Sequence, residues 1–246
     1  MSMLRALSLL TLSLLPAAAH AADQVGLSAL DDEAYLSSRN GVVQLICENE
    51  ATGQVYLSRA VVLDIPGLAG DFDILLAARH AVMDRNEERI CHVRGEPLRR
   101  GQISEIETSD PAANEFGEFS QDWAIIRTSG RLDASISRLR AVAYGGPGEG
   151  QLSMLRAAMQ GEPCQITPAP DQIVEPTLIF HDCYARPGLS GSPLLAQIDG
   201  EAFVIGVQLG EYVMFNEGGR QYSVGRRLDD DFLQALIDFV AQEAGP

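Results

Sequence analysis

Short apolar runs rich in Val, Ile and Leu, separated by Gly, Pro, Asn and Asp, recur along nearly the whole chain. Such runs read as β-strands bounded by turns, because branched side chains suit a pleated surface and Gly and Pro punctuate it. A first set covers 42–47, 55–64, 73–77, 90–94, 102–106 and 123–128, with Asn40-Gly41 and Pro66-Gly67 marking turns. A connector over Ser129–Ser137 follows, and then a second set at 140–143, 152–156, 164–167, 173–183, 193–197, 202–209 and 221–224. Near the end, Asp229-Asp230-Asp231 precedes Phe232, Leu233, Leu236, Ile237 and Val240. That spacing is one apolar helical face, with carboxylates in the first turn where the helix dipole favours them. The pattern predicts an all-β chain in two β-barrel-like halves with a C-terminal α-helix. The expected division is a first barrel over 39–128, the connector over 129–137, a second barrel over 138–228 and the helix over 229–246.

The first 21 residues break this pattern. Arg5 supplies a short positive region, Ala6–Leu15 is apolar, Pro16 ends the run, and Ala19-His20-Ala21 has small residues at cleavage spacing. This is the form of a secretory signal peptide cut after Ala21, too short to span a bilayer. The expected destination is the periplasm or the outside of the cell, with no stable membrane association. Residues 22–38 are polar and acidic and read as an N-terminal arm or a pro-segment. The acidic stretch Glu107–Asp122 reads as a solvated loop rather than a cation site.

Charge and cysteine content narrow the function. With 18 Lys plus Arg against 34 Asp plus Glu, the formal charge of the 246-residue chain is -16, which argues against nucleic acid as a partner. Every basic residue apart from histidine is arginine. Export places the four cysteines in an oxidising compartment, where they are expected as disulfides. Of three possible pairings, Cys47–Cys91 and Cys164–Cys183 keep each bridge within one half of the chain. With no C-x-x-C and no Cys/His cluster, neither a metal nor another cofactor is expected.

The candidate chemistry lies in Ala185-Arg186-Pro187-Gly188-Leu189-Ser190-Gly191-Ser192-Pro193. Two glycines and two prolines around Ser190 make a tight turn with a hydroxyl at its apex. Such a turn can present a nucleophile and gather backbone N–H groups for an oxyanion. A serine needs a base, and the candidates after the signal are His80, His92 and His181. His80 closes the apolar run Ile74–Ala78 and so sits where a buried strand emerges into a turn. His92 alternates with apolar neighbours and reads as strand surface, and His181 lies within a strand run. All three precede Ser190, the reverse of the nucleophile–acid–histidine order of α/β-hydrolases. Asp122, at the start of the apolar run Trp123-Ala124-Ile125-Ile126, offers a carboxylate to orient a histidine.

The fragments Leu76-Ala77-Ala78-Arg79-His80-Ala81-Val82, Asp122-Trp123-Ala124-Ile125-Ile126 and Gly188-Leu189-Ser190-Gly191-Ser192-Pro193 occur in the order His, Asp, Ser. This resembles the chymotrypsin-like serine peptidases, and most closely their bacterial glutamyl-endopeptidase branch. The resemblance runs from about Val42 to Val240 and implies two six-stranded antiparallel barrels with the active site between them. It implies His80 as general base, Asp122 as its orienting carboxylate, Ser190 as nucleophile, and the N–H groups of Gly188 and Ser190 as oxyanion hole. It also implies that Gly206–Gly210 lines the substrate groove.

The departures bear on specificity. Leu189 stands where trypsin-like enzymes carry the aspartate that pairs with a newly cut N-terminus, so that activation route is not expected. Tyr184 stands where trypsins carry an aspartate, and Gln208 follows Gly206-Val207 where glutamyl endopeptidases show a histidine. With Tyr184, Gly206 and Gln208 as substrate-binding positions, the expectation is a neutral preference at the cleaved residue. The leading expectation is a secreted, monomeric serine endopeptidase acting on polypeptides through an acyl-enzyme. Competing functions are a catalytically idle binding protein of the same fold, and an esterase or acyl-transfer enzyme. A large HtrA-type protease is not expected, because little chain follows Val240.

Overall fold

The computed structural model describes residues 27–68, 71–84, 87–94, 103–108, 119–145, 150–155, 163–170, 175–214 and 218–243. The expected signal peptide and most of the acidic stretch before Phe119 lie outside the described residues.

The chain enters through helix α1 (Asp32–Ser38), whose first turn is capped by the Asp31 carboxylate accepting from the Ala34 N–H at 2.9 Å. The polar reading of this arm missed the helix. Ahead of it, Ser28 bridges Gln197, and the Gln197 side chain accepts from the Asp31 backbone N–H and donates to the Asp31 carboxylate. The arm is thereby fastened to the second half of the chain.

The first half contains strands β1 (Val42–Asn49), β2 (Gln54–Asp64) and β3 (Ile74–Ala77), then the single-turn helix α2 (Arg79–Val82). It continues through the small hairpin β4 (Met83–Asp84) and β5 (Glu87–Glu88), then β6 (Ile90–Arg94), β7 (Ile103–Thr108) and β8 (Ala124–Thr128). Six of these strands form an antiparallel sheet in the order β6-β1-β2-β3-β8-β7. Ile74, Leu75 and Leu76 of β3 and Ile125 and Ile126 of β8 are fully buried, in keeping with their uninterrupted apolar sequence.

Strand β9 (Leu139–Ala141) joins the halves by pairing in parallel with β2 on one side and with the second half on the other. The segment before it is pinned by Asp73, which is buried beside Arg138. Asp73 accepts from Arg138 Nε at 2.8 Å, from Arg138 Nη2 at 3.0 Å and from the Leu132 N–H at 2.7 Å.

The second half holds β10 (Gln151–Met154), β11 (Pro163–Thr167), β12 (Leu178–His181), β13 (Pro193–Ile198), β14 (Glu201–Met214) and β15 (Arg220–Arg227). These close into a six-stranded antiparallel barrel, β13-β10-β11-β12-β15-β14 and back to β13. The hairpin β14–β15 extends beyond the apolar runs 202–209 and 221–224, because hydrogen bonds with a partner strand carry it through Glu211–Met214 and Arg220. Cys47 bonds Cys91 across β1 and β6, and Cys164 bonds Cys183 in the second barrel.

Helix α3 (Asp230–Glu243) leaves the second barrel but packs on the core of the first through Phe232, Leu236 and Phe239. Phe232 meets Trp123 edge to face, with ring centroids 5.2 Å apart. The helix therefore buttresses the residue next to Asp122. The architecture is all-β with a C-terminal helix, and the two strand groups meet along the line where the candidate residues lie.

Candidate active site

The register of β3 with β8 brings the first two candidates together. Ala77 lies opposite Ala124 in this antiparallel pair, so the chain after Ala77 and the chain before Ala124 leave the sheet at the same end. Ala78, in extended conformation, starts the single turn α2, which lifts His80 out of the sheet. On the other side, the turn Phe119–Gln121 delivers Asp122, and Arg226 of β15 donates from Nε to the Ser120 carbonyl at 2.9 Å. Arg226 is itself buried and paired to Asp229 at 2.8 Å, so the second barrel holds the turn that positions Asp122.

Asp122 Oδ2 lies 2.6 Å from His80 Nδ1, and Asp122 Oδ1 accepts the His80 backbone N–H at 2.8 Å. The side chain of Asp122 is only 13% exposed, whereas that of His80 is 50% exposed. An ionised carboxylate can only accept, so Nδ1 carries the proton and Nε2 presents a lone pair. That is the tautomer a general base needs.

Ser190 sits at the turn before β13. Its carbonyl accepts from the Arg59 N–H of β2 at 2.9 Å, and the Gly191 N–H donates to the Gln208 carbonyl at 2.7 Å. The serine is thus held between the two halves by backbone bonds on either side. A Cβ on Gly191 would stand 1.9 Å from the Arg59 carbonyl oxygen, and Gly191 has φ +84°. No residue but glycine allows this approach.

The preceding turn carries the N–H groups expected as oxyanion donors. Leu189 N–H donates to the Arg186 carbonyl at 3.1 Å, with Pro187 second and Gly188, at φ +90°, third. This is a type II turn, which proline and glycine favour at these two positions. Neither the Gly188 nor the Ser190 N–H donates to an acceptor among the described residues.

Ser190 Oγ donates to the Leu209 carbonyl at 3.1 Å and makes no hydrogen bond with His80. Leu209 is available because β14 shifts register between Gln208 and Gly210, which leaves it out of the β15 ladder. Hydrogen bonds at active sites are often loose or differently made before substrate arrives.

His80 and Ser190 share a cleft of about 420 Å³. Its wall is the edge segment Val55–Ser58 of β2, with Ala81, Arg89, Pro187 and Gly188 completing it. Arg89 drew no attention as sequence, since nothing local ties it to His80. Its guanidinium stacks 3.7 Å from the Tyr56 ring centre, and Nη1 donates to the carbonyls of His80 at 2.5 Å and Ala81 at 3.1 Å.

Tyr184, Gly206 and Gln208 do not line this cleft. Tyr184 is 62% exposed. Gly206 is wedged inside the barrel wall, where a Cβ would approach the Arg226 carbonyl to 2.8 Å. Gln208 is buried and donates from Nε2 to the Gly210 carbonyl at 2.9 Å. Behind it His181 is also buried, and desolvation pushes its imidazole down to about 4, although Gln208 and the Asp182 charge oppose the shift. Neither ring nitrogen of His181 makes a hydrogen bond among the described residues. His92 is half-buried on β6, in the register opposite Ile46.

No protein-family model matches the chain, and no curated protein sequence matches it. Solved structures do. Protease Anisep from Arthrobacter nicotinovorans is 10% identical, with a TM-score of 0.62 over 82% of this chain and 96% of that one. A Glu endopeptidase is 13% identical, with a TM-score of 0.54 over 82% and 91% of the two chains. The thermostable serine protease AL20 from an extremophilic microorganism is 12% identical, with a TM-score of 0.52 over 85% and 96%. The shared property is the fold, that of the bacterial chymotrypsin-like serine proteases.

Proposed function

We propose that this chain of chymotrypsin-like fold is an exported serine endopeptidase. The observation that carries the reading is the buried Asp122 carboxylate bonded to His80 at both the ring and the backbone, in a cleft that His80 shares with Ser190. In this reading His80 Nε2 takes the Ser190 proton as Oγ attacks the scissile carbonyl. The oxyanion accepts from the Gly188 and Ser190 N–H groups, and Asp122 stabilises the imidazolium. His80 then returns the proton to the leaving amine, and water repeats the cycle on the acyl-enzyme. The acyl segment of the substrate runs along Gln208–Gly210, and the leaving segment enters the cleft beside β2.

Two disulfides suit an oxidising compartment. Among the described residues no helix is long and apolar enough to cross a membrane. The bond from Ser190 Oγ to the Leu209 carbonyl favours a second reading, an idle binding protein of the same fold.

Fluorophosphonate labelling of the purified protein, with peptide mass mapping, separates the two. The peptidase reading expects the label on Ser190, and its loss in Ser190→Ala and His80→Ala. An unlabelled wild-type protein, in both its full exported form and a form starting near Ser38, would refute it. A matched amide and ester of one acyl group would then distinguish a peptidase from an esterase.

A further inference from the structure

The cleft beside His80 contains a cation whose charge meets no carboxylate among the described residues. Arg89 is 8% exposed, yet no carboxylate among the described residues pairs with it. Its Nε is buried without an acceptor, and its hydrogen bonds all leave from Nη1, to the carbonyls of His80 and Ala81. Burying an arginine in this way is costly unless something supplies the missing acceptors. The guanidinium is held rigidly by the Tyr56 ring on one face and by those two carbonyls at one edge. Nη2 is left without a partner among the described residues and is not among the buried atoms, so the fixed guanidinium offers one charged donor that suits a carboxylate oxygen.

A second arginine is tied to the nucleophile's backbone. Arg59 is half-buried, and its amide bonds the Ser190 carbonyl. Its guanidinium is pushed below the usual arginine range by burial and by the charge of Arg186.

We propose that the cleft formed by Arg89, Tyr56 and the edge of β2 binds a carboxylate on the leaving-group side of the scissile bond. This rests on the peptidase reading for its direction. His80 must protonate the leaving amine, so the chain beyond that amine lies on the side where His80, Ala81 and β2 form the wall. Two sources supply the same chemistry there: an Asp or Glu side chain within the first two residues after the cleaved bond, or the free C-terminus of a short leaving segment. The preference is separate from the neutral one expected at the cleaved residue itself.

The test uses internally quenched peptides with one common acyl half. The leaving half carries Glu or Gln at the first or second position, and each peptide is made as free acid and as amide. Wild type is expected to cleave the carboxylate-bearing member of at least one pair with kcat/KM about ten- to a hundredfold higher, the span of a charged hydrogen bond. Arg89→Gln should collapse that ratio toward one, and Arg89→Lys should restore part of it. A merely structural Arg89 would lower all rates together and leave the ratio intact. A Glu-over-Gln effect identifies a side-chain carboxylate, and an acid-over-amide effect identifies the C-terminus.

A parallel arm needs no turnover. Fluorescence anisotropy follows binding of the labelled leaving-half peptides to Ser190→Ala, with and without Arg89→Gln. A ratio near one in wild type, or a high ratio that survives Arg89→Gln, overturns the proposal while fluorophosphonate labelling keeps the peptidase reading intact. If the protein neither labels nor cleaves, equal binding of carboxylate and amide peptides overturns it, and carboxylate preference dependent on Arg89 sustains it.

Discussion

Asp122 grips His80 at two points, with Oδ2 2.6 Å from the ring Nδ1 and Oδ1 accepting the His80 backbone N–H at 2.8 Å. One carboxylate therefore sets both the position of α2 and the tautomer of the imidazole. Asp122→Asn separates these duties. The amide oxygen can still accept the backbone N–H, but the amide nitrogen donates to Nδ1 and forces the proton onto Nε2. Stability should change little, while kcat falls by about 10³–10⁴. Steady-state kinetics on an amide substrate, beside a urea melt, checks both halves. Retained activity would remove Asp122 from the mechanism.

Gly191 and Arg59 are packed backbone to backbone. A Cβ at Gly191 would stand 1.9 Å from the Arg59 carbonyl oxygen, and the residue also has φ +84°. Gly191→Ala should cost more than about 4 kcal/mol, the range of severe backbone clashes. Gly53 is a control with φ +67° and nothing within 4 Å of its would-be Cβ. Gly53→Ala should therefore cost only the left-handed strain of about 1–2 kcal/mol. Comparable urea midpoints for the two variants would contradict the close approach.

His181 predicts a loss of stability in acid. Burial holds its folded-state value at about 4 against an ordinary 6.5. Between those values the unfolded chain binds a proton that the folded chain refuses. The stabilisation is therefore complete above about pH 6.5 and is lost as pH falls toward 4, by up to about 3 kcal/mol. His181→Gln should flatten the stability–pH curve in that window. An unchanged slope would show that the imidazole is not held neutral.

Asp73 and Arg138 bind the connector to β3 with two hydrogen bonds of 2.8 and 3.0 Å, and the Asp73 side chain is 1% exposed. Arg138→Ala leaves the buried carboxylate with only the Leu132 N–H and the more distant Arg131, 3.4 Å away, and should cost about 3 kcal/mol. The paired change Asp73→Leu with Arg138→Met should cost less than Arg138→Ala alone, because the one charge that loses its partner, Arg131, is exposed to solvent. Thermal denaturation of both variants reads the difference.

Much of the fold was legible because strand character is written locally. Ile74-Leu75-Leu76-Ala77 and Ala124-Ile125-Ile126 are apolar on both faces, and both are central buried strands. The helix at the end was legible from the spacing of Phe232, Leu236 and Val240, but not its docking against Trp123. Helix α1 was missed, because seven residues give too little apolar period to outweigh an acidic composition. In the candidate site, His80, Asp122 and Ser190 stood out by their flanking residues. Arg89 did not, since its importance lies in the Tyr56 ring beneath it and in two carbonyls of another element.

The sequence by itself determined where the chain turns, which segments extend, and which glycine and proline shape the approach to Ser190. These follow from the preferences of each residue and its near neighbours. Only the tertiary structure decided that β9 bridges the halves in parallel, that Leu209 is freed to receive the Ser190 hydroxyl, and that Ala77 faces Ala124. It also decided that Asp31 and Gln197, 166 residues apart, hold the arm to the second barrel. Such pairings are selected by the burial of whole strands and the satisfaction of their backbone groups, terms that no single stretch of sequence contains.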